Sequence, residues 1–246
     1  MVMYKYIFLG IVQGLTEFFP VSSSGHLVIL QKLFGMSGNE VAVAVVLHLG
    51  TCLSLLVFFF RDILKLLRDI KSVIFIILVT LITGIIGVSG KHFFEGLFQS
   101  TKAVAIALLI TGVVLLLTKK FQSGKREKIN LKDAIILGIT QGLAIAPGIS
   151  RSGITIATLL FRKIERETCF RFSFLAAIPA IFGAALLEAE DVRLAINPGL
   201  IIGSIFSFAS GLLALWLLQR LMQKARLHYF GVYCMIIAIL TLLFVK

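Results

Sequence analysis

Six long apolar runs, Val41–Phe60, Ser72–Gly90, Ala103–Thr118, Ser173–Leu187, Gly199–Leu218 and Tyr229–Val245, alternate along the chain with short stretches of charged or turn residues. Each is apolar enough to predict a helix that spans or nearly spans a bilayer. The runs beginning at 103 and 173 fall short of the roughly 20 residues a spanning helix needs, so their ends must extend or the bilayer must thin. Two segments interrupt the pattern and resemble each other. Gly10-Ile11-Val12-Gln13-Gly14-Leu15 returns as Gly138-Ile139-Thr140-Gln141-Gly142-Leu143. Each copy runs on through a proline into a Ser/Gly turn, Pro20-Val21-Ser22-Ser23-Ser24-Gly25-His26 and Pro147-Gly148-Ile149-Ser150-Arg151-Ser152-Gly153.

A helix cannot run smoothly through these turns, because proline removes a donor and the Ser/Gly run favours turns and caps. Each copy therefore predicts a re-entrant hairpin, at 6–34 and 131–161, rather than a span. Backbone freed at membrane depth is tolerated only against protein or a water-filled cavity, so the two breaks should meet. Each break also begins a half-helix whose exposed N–H groups and positive dipole end suit an anion. The Gly-x-x-x-Gly spacing at Gly10/Gly14 and Gly138/Gly142 allows the ascending helices to pack closely. Three spans separate the copies, and an odd number forces the hairpins to point in opposite directions. The expected fold is an all-α integral membrane protein, one domain over 1–246. It has six transmembrane helices and two opposed re-entrant hairpins in an inverted-topology repeat, about 1–118 and 131–246.

Composition agrees: 59% of residues are hydrophobic and 15% charged, and the mean hydropathy is +1.02, far from soluble averages. The net charge of +12 could suggest nucleic acid, but its distribution excludes that. Seventeen of the 24 Lys and Arg fall in four alternate loops, around 61–71, 119–132, 162–171 and 220–226, whereas Glu188, Glu190 and Asp191 share another. By the positive-inside rule the basic loops face the cytoplasm, so the second hairpin enters from that side, the first from outside, and both chain ends lie outside. Cys52, Cys169 and Cys234 lack metal-like spacing and read as small apolar fillers. The apolar N-terminus has no A-x-A cleavage site, and cleavage would remove the first motif, so it does not read as a signal peptide.

The copies differ where they are ionisable. Glu17 aligns with Ala144-Ile145-Ala146, Ser23 with Arg151 and His26 with Ile154. An ionised group at membrane depth costs at least about 2.5–3.5 kcal/mol and marks a functional site by default. A structural Glu17–Arg151 pair would need neither the Ser/Gly turns nor His26. The set suits a phosphate ester or anhydride: Arg151, flanked by Ser150 and Ser152 with Thr155 one turn on, can clamp phosphate oxygens. Ser23 or Ser22 could attack phosphorus, with Glu17 or His26 as base and then acid. A divalent cation, Mg²⁺ or Ca²⁺, could bridge Glu17 and a diphosphate. Gln13 and Gln141 read as scaffold hydrogen-bonders, though Gln13 lies one turn from Glu17. His48, His92 and His228 have no motif around them and read as structural or interfacial.

These motifs together, Gln13-x-x-x-Glu17, Pro20 to His26 and Pro147 to Thr155, resemble those of the bacterial undecaprenyl-diphosphate phosphatases, also called bacitracin-resistance proteins. The resemblance extends over nearly the whole chain. It implies hydrolysis of the C55 isoprenyl diphosphate to the monophosphate carrier lipid and inorganic phosphate at the outer face of the bacterial plasma membrane, in support of peptidoglycan synthesis. It implies catalytic roles for Glu17, Ser23, His26 and Arg151, and substrate contacts from Gln13, Ser22, Ser24, Gly25, Ser150, Ser152 and Thr155. A divalent metal at Glu17 and a homodimer are implied as well. Position 13 is Glu or Gln in this motif; with Gln here, Glu17 is its sole acid. The rival from another class is a transporter or flippase for an anionic lipid or solute, which inverted broken-helix repeats also serve. A second membrane phosphatase superfamily would need a further His soon after Arg151, and none occurs before His228.

Overall fold

The computed structural model describes residues 3–35, 40–121, 124–187, 197–224 and 226–245. They form α1 (Met3–Phe18), α2 (Ser23–Leu33), α3 (Glu40–Phe58), α4 (Phe60–Leu66), α5 (Ile70–Ser89), α6 (Lys91–Phe98) and α7 (Thr101–Leu117), the last prolonged by a 3-10 turn to Lys120. The second half contains α8 (Leu131–Leu143), α9 (Arg151–Phe161), α10 (Arg166–Leu187), α11 (Pro198–Gln223) and α12 (His228–Phe244). Glu188, Glu190 and Asp191, the acidic loop of the charge pattern, lie outside the described residues.

Four helices, Ile70–Ser89, Thr101–Lys120, Arg166–Leu187 and Pro198–Gln223, are long and apolar enough to cross a membrane. A fifth span results if α3 and α4, bent by 72° at their junction, are taken as one. The chain is thus an all-helical, multi-pass membrane protein with four to five candidate spans; α12, at 17 residues, is apolar but shorter. The two short runs do extend. Ala103–Thr118 becomes a 20-residue helix, and Ser173–Leu187 grows backward to Arg166 for 22 residues. Many large apolar side chains face outward, among them Ile74, Leu81 and Ile85 on α5 and Leu240 and Leu243 on α12. A soluble monomer rarely exposes such continuous patches, whereas lipid covers them without cost.

Close backbone approach organises the interior. A Cβ on Gly10 would collide with the Gly203 carbonyl, and one on Gly14 with Ser207 and Ser210, so α1 lies directly on α11. Serines of α11 tie the same helix to α3: Ser204 Oγ donates to Val46 O (3.1 Å) and Ser207 Oγ to Leu47 O (2.9 Å). Gly138 and Gly142 of α8 receive Ile82 and Ile86 of α5, where Thr83 Oγ1 donates to Gly138 O (3.2 Å). Both Gly-x-x-x-Gly faces therefore pack as their spacing predicts, each against a long helix from the other half of the chain. An aromatic cluster of Phe18, Phe59, Phe170 and Phe174, fully buried with centroids 5.1–6.0 Å apart, joins α1, the α3–α4 corner and α10 just beneath Glu17 in sequence.

The pairs α1–α2 and α8–α9 each close on themselves at their outer ends. Lys5 Nζ donates to Phe34 O (2.8 Å), and the Phe8 and Phe34 rings meet at 5.8 Å. At the other pair, Arg126 lies beside Ile164, and Glu165 N donates to Arg126 O (2.9 Å).

Candidate active site

Both breaks end at a serine that caps the next helix. Ser22 Oγ accepts from Gly25 N (3.3 Å) at the start of α2, and Ser150 Oγ accepts from Gly153 N (3.1 Å) at the start of α9. Such caps satisfy first-turn N–H groups that have no partner within the helix. The two turns abut. Gly148 N donates to Ser22 Oγ (3.0 Å), and Ser152 Oγ donates to Phe19 O (3.4 Å). A Cβ on Gly25 would press on the Gly148 backbone. Gly148 itself is at φ +97° and would meet the Val104 carbonyl of α7, so both its conformation and its surroundings require glycine. Thr111 of α7 holds the same turn, donating to Gly148 O (2.9 Å) and accepting from Ser150 N (3.0 Å). Six backbone groups freed at the breaks, the N–H of Gly25, Gly148, Ser150 and Gly153 and the carbonyls of Phe19 and Gly148, are thus satisfied within the protein.

Glu17, one residue before the end of α1, is the hub of the site. Its Oε2 accepts from Ser23 Oγ (2.5 Å), Gln13 Nε2 (3.0 Å) and His48 Nε2 (2.9 Å), and its Oε1 pairs with Arg151 Nη2. Three of the expected residues, Glu17, Ser23 and Arg151, are thereby in direct contact, with α1 supplying the acid, α2 the hydroxyl and α9 the cation. Glu17 and Arg151 side chains are 4% and 16% exposed, so each charge depends on the other for compensation. Arg151 Nη1 is buried without a partner, leaving a donor edge of the guanidinium uncommitted.

His26 stands apart from that cluster. Its Nδ1 lies 2.8 Å from Ser22 O and its Nε2 2.8 Å from Tyr233 Oη of α12. A carbonyl only accepts, so Nδ1 carries the proton, and in the neutral ring Nε2 accepts from the tyrosine. Thr155 spends its hydroxyl on Arg151 O (2.7 Å) and on Ser173 of α10 (2.5 Å). Ser24 and Ser152 each lie 3.4 Å from the capping serine of their own turn. Gln141 donates to Thr83 Oγ1 (3.2 Å) and Ala176 O (3.4 Å), as a scaffold residue would.

One reading of the sequence is corrected. His48 reads from the sequence as structural or interfacial but touches Glu17, because α3 runs beside the end of α1 and carries the ring inward. Both of its nitrogens face acceptors, Nδ1 toward Ala44 O (2.8 Å) and Nε2 toward Glu17, the arrangement a doubly protonated imidazole satisfies. The signal was present: His48 is the only acid, base or histidine in the Val41–Phe60 run. Tyr233 gave no comparable signal, being one of several polar positions on an otherwise apolar helix.

Comparison with known proteins adds to this geometry. Residues 6–240 match the family model described as bacitracin resistance protein BacA. The chain is 42% identical to the undecaprenyl-diphosphatase of Halothermothrix orenii, over 99% of this chain and 98% of that protein. It is 40% identical to that of Carboxydothermus hydrogenoformans (96% and 95% covered) and 39% identical to that of Thermotoga petrophila (96% and 98%).

Proposed function

This chain belongs to the bacitracin resistance protein BacA family, and on that premise we propose that it hydrolyses undecaprenyl diphosphate to undecaprenyl phosphate and inorganic phosphate. The observation that carries this is the meeting of Glu17, Ser23 and Arg151 at two abutting helix N-termini, with one guanidinium nitrogen of Arg151 still unpartnered. Arg151 and the first-turn amides of α2 and α9 other than the capped Gly25 N and Gly153 N bind the diphosphate oxygens and hold the charge that develops on them. Ser23 Oγ attacks the terminal phosphorus while its proton passes to Glu17 Oε2, 2.5 Å away. The phosphorus–oxygen bond to the lipid phosphate breaks, and undecaprenyl phosphate leaves. Water then cleaves the phosphoserine: it gives a proton to His26 as its oxygen bonds to phosphorus, Glu17 returns its proton to Ser23 Oγ as the bond from Ser23 to phosphorus breaks, and inorganic phosphate leaves. Gln13 orients Glu17. Ser22, Ser24, Gly25, Ser150, Ser152 and Thr155 shape the two turns around the phosphates.

The donor set also suits a divalent cation that arrives with the substrate. Among the described residues no group of three His, Cys, Asp or Glu could hold a metal alone. Glu17 Oε1 faces only Arg151, and Gln13 Oε1 is buried without a partner. Glu17 and Gln13 would hold Mg²⁺ or Ca²⁺, the diphosphate supplying further oxygen ligands, and the ion would offset the charge of the phosphates.

The architecture proposed for this chemistry is six spans, counting α12 and the bent α3–α4 among them, and two re-entrant hairpins, α1–α2 and α8–α9, in one domain over 1–246. The closed outer ends of both pairs support the hairpins, and the reciprocal packing of α1 on α11 and of α8 on α5 supports an inverted repeat. The basic loops lie in the cytoplasm, the site opens to the outer face, and the chain pairs as a homodimer.

The test is phosphate release from an isoprenyl diphosphate by purified protein in detergent, with and without EDTA. Arg151→Ala should lower kcat/KM by about 10²–10³-fold in protein that remains folded in detergent, and should melt earlier than the wild type, because Glu17 loses its compensating charge. A wild-type protein that is folded, supplied with substrate and releases no phosphate would overturn the assignment in favour of lipid transport.

A further inference from the structure

We propose that His48 is a positioning residue of this reaction, holding the carboxylate oxygen of Glu17 that receives the Ser23 proton. It rests on the hydrolytic reading above. The Nε2–H of His48 donates to Glu17 Oε2 at 2.9 Å, the same oxygen that accepts from Ser23 Oγ at 2.5 Å. On the far side of the ring, the bond from Nδ1 to Ala44 O (2.8 Å) fixes its plane one turn back along α3. The helix is itself pinned at this level. Leu47 O, next in sequence, accepts from Ser207 Oγ (2.9 Å), and Gly50 is pressed against the Ser204 backbone. His48 is therefore delivered to Glu17 by a rigid element, as groups that set reacting geometry usually are.

Arg151 draws on the opposite oxygen of the same carboxylate. With His48 gone, Oε2 keeps only Ser23 and Gln13, and the carboxylate is free to turn toward the guanidinium and away from the serine. Displacement of a reacting group by about 1 Å can cost on the order of 10²-fold in rate. The loss falls on turnover rather than on lipid binding, because His48 makes no hydrogen bond to Arg151 or to the first-turn amides, and the oxygen it holds, Glu17 Oε2, is not Oε1, the one that would face a cation.

Two measurements test this. In phosphate release, His48→Leu should lower kcat by about 10–100-fold with KM little changed, and His48→Gln, which keeps a neutral donor, should recover at least about a third of wild-type kcat. Wild-type kcat in His48→Leu, or a loss confined to KM, overturns the proposal. The second reads the contact without turnover: the Glu17 carboxylate stretch, isolated by infrared difference against Glu17→Gln, should shift in His48→Leu protein. An unshifted band overturns the proposal even if the enzyme is active. If wild-type protein releases no phosphate, the hydrolytic reading fails, while the infrared measurement still decides the contact.

Discussion

Asp133, in the first turn of α8, shows how one side chain can lock the mouth of the second turn region. It is fully buried, receives Arg126 through two nitrogens and Arg162 Nε (2.8 Å), and forms a capping box with Asn130. Burial pushes its carboxyl up, but the hydrogen bonds from Arg126, Arg162 and Asn130 N outweigh burial and hold it below the ordinary carboxylate range. A depressed carboxyl contributes stability above its unfolded value of about 3.9 and loses it as the pH falls through the folded value. The thermal midpoint in detergent should therefore fall as the pH drops below about 5, and fall less in Asp133→Ala, which at neutral pH should lose about 1.5–3 kcal/mol. Equal acid sensitivity in both proteins would contradict this. Residue identity alone made Glu17, Ser23 and Arg151 legible, because comparison of the two copies isolates whatever one copy has and the other lacks. His48 escaped because it sits outside the repeat, and a contact between α1 and α3 is a tertiary fact that no local pattern carries.

At the scale of elements, spacing predicted close approach and left the partner open. Gly10 and Gly14 could have met the other Gly-x-x-x-Gly helix, and instead face α11, whose Gly203, Ser207 and Gly211 offer a surface equally free of bulk. Gly10→Ala would drive a methyl into the Gly203 carbonyl, a backbone atom that cannot step aside. Overpacking of this kind costs about 1–3 kcal/mol, so the variant should melt earlier in detergent, whereas Gly84→Ala, where a Cβ meets open space, should melt with the wild type. Parallel losses in both variants would remove the packing argument. Helix ends were the least legible part. α10 begins at Arg166, seven residues before its apolar run, because Cys169, Phe170 and Phe172 supply a buried face among the charges. The bend of the first long run at Phe59 follows from burial of that ring in the aromatic cluster, which turns the chain before the run is exhausted.

For the molecule as a whole, the alternation of basic loops is what the proposed orientation rests on. Arg126, Arg162 and their neighbours gather at one end, where the loops flanking α8–α9 touch. A single cysteine at Lys125, in a cysteine-free background, should react with a membrane-impermeant maleimide only after the cytoplasmic side is opened, and one at His92 should react in intact cells. The reverse pattern would invert the proposed orientation. The reciprocal packing of the halves also has a consequence for synthesis. Gly10 must wait for Gly203, and at roughly 5–20 residues per second that wait is about 10–40 s, during which α1 sits in the membrane with the seat of its acid uncovered. Biogenesis of this protein thus depends on whatever shelters an unpaired helix until the last quarter of the chain arrives, and a truncated chain ends without the surface that completes its beginning.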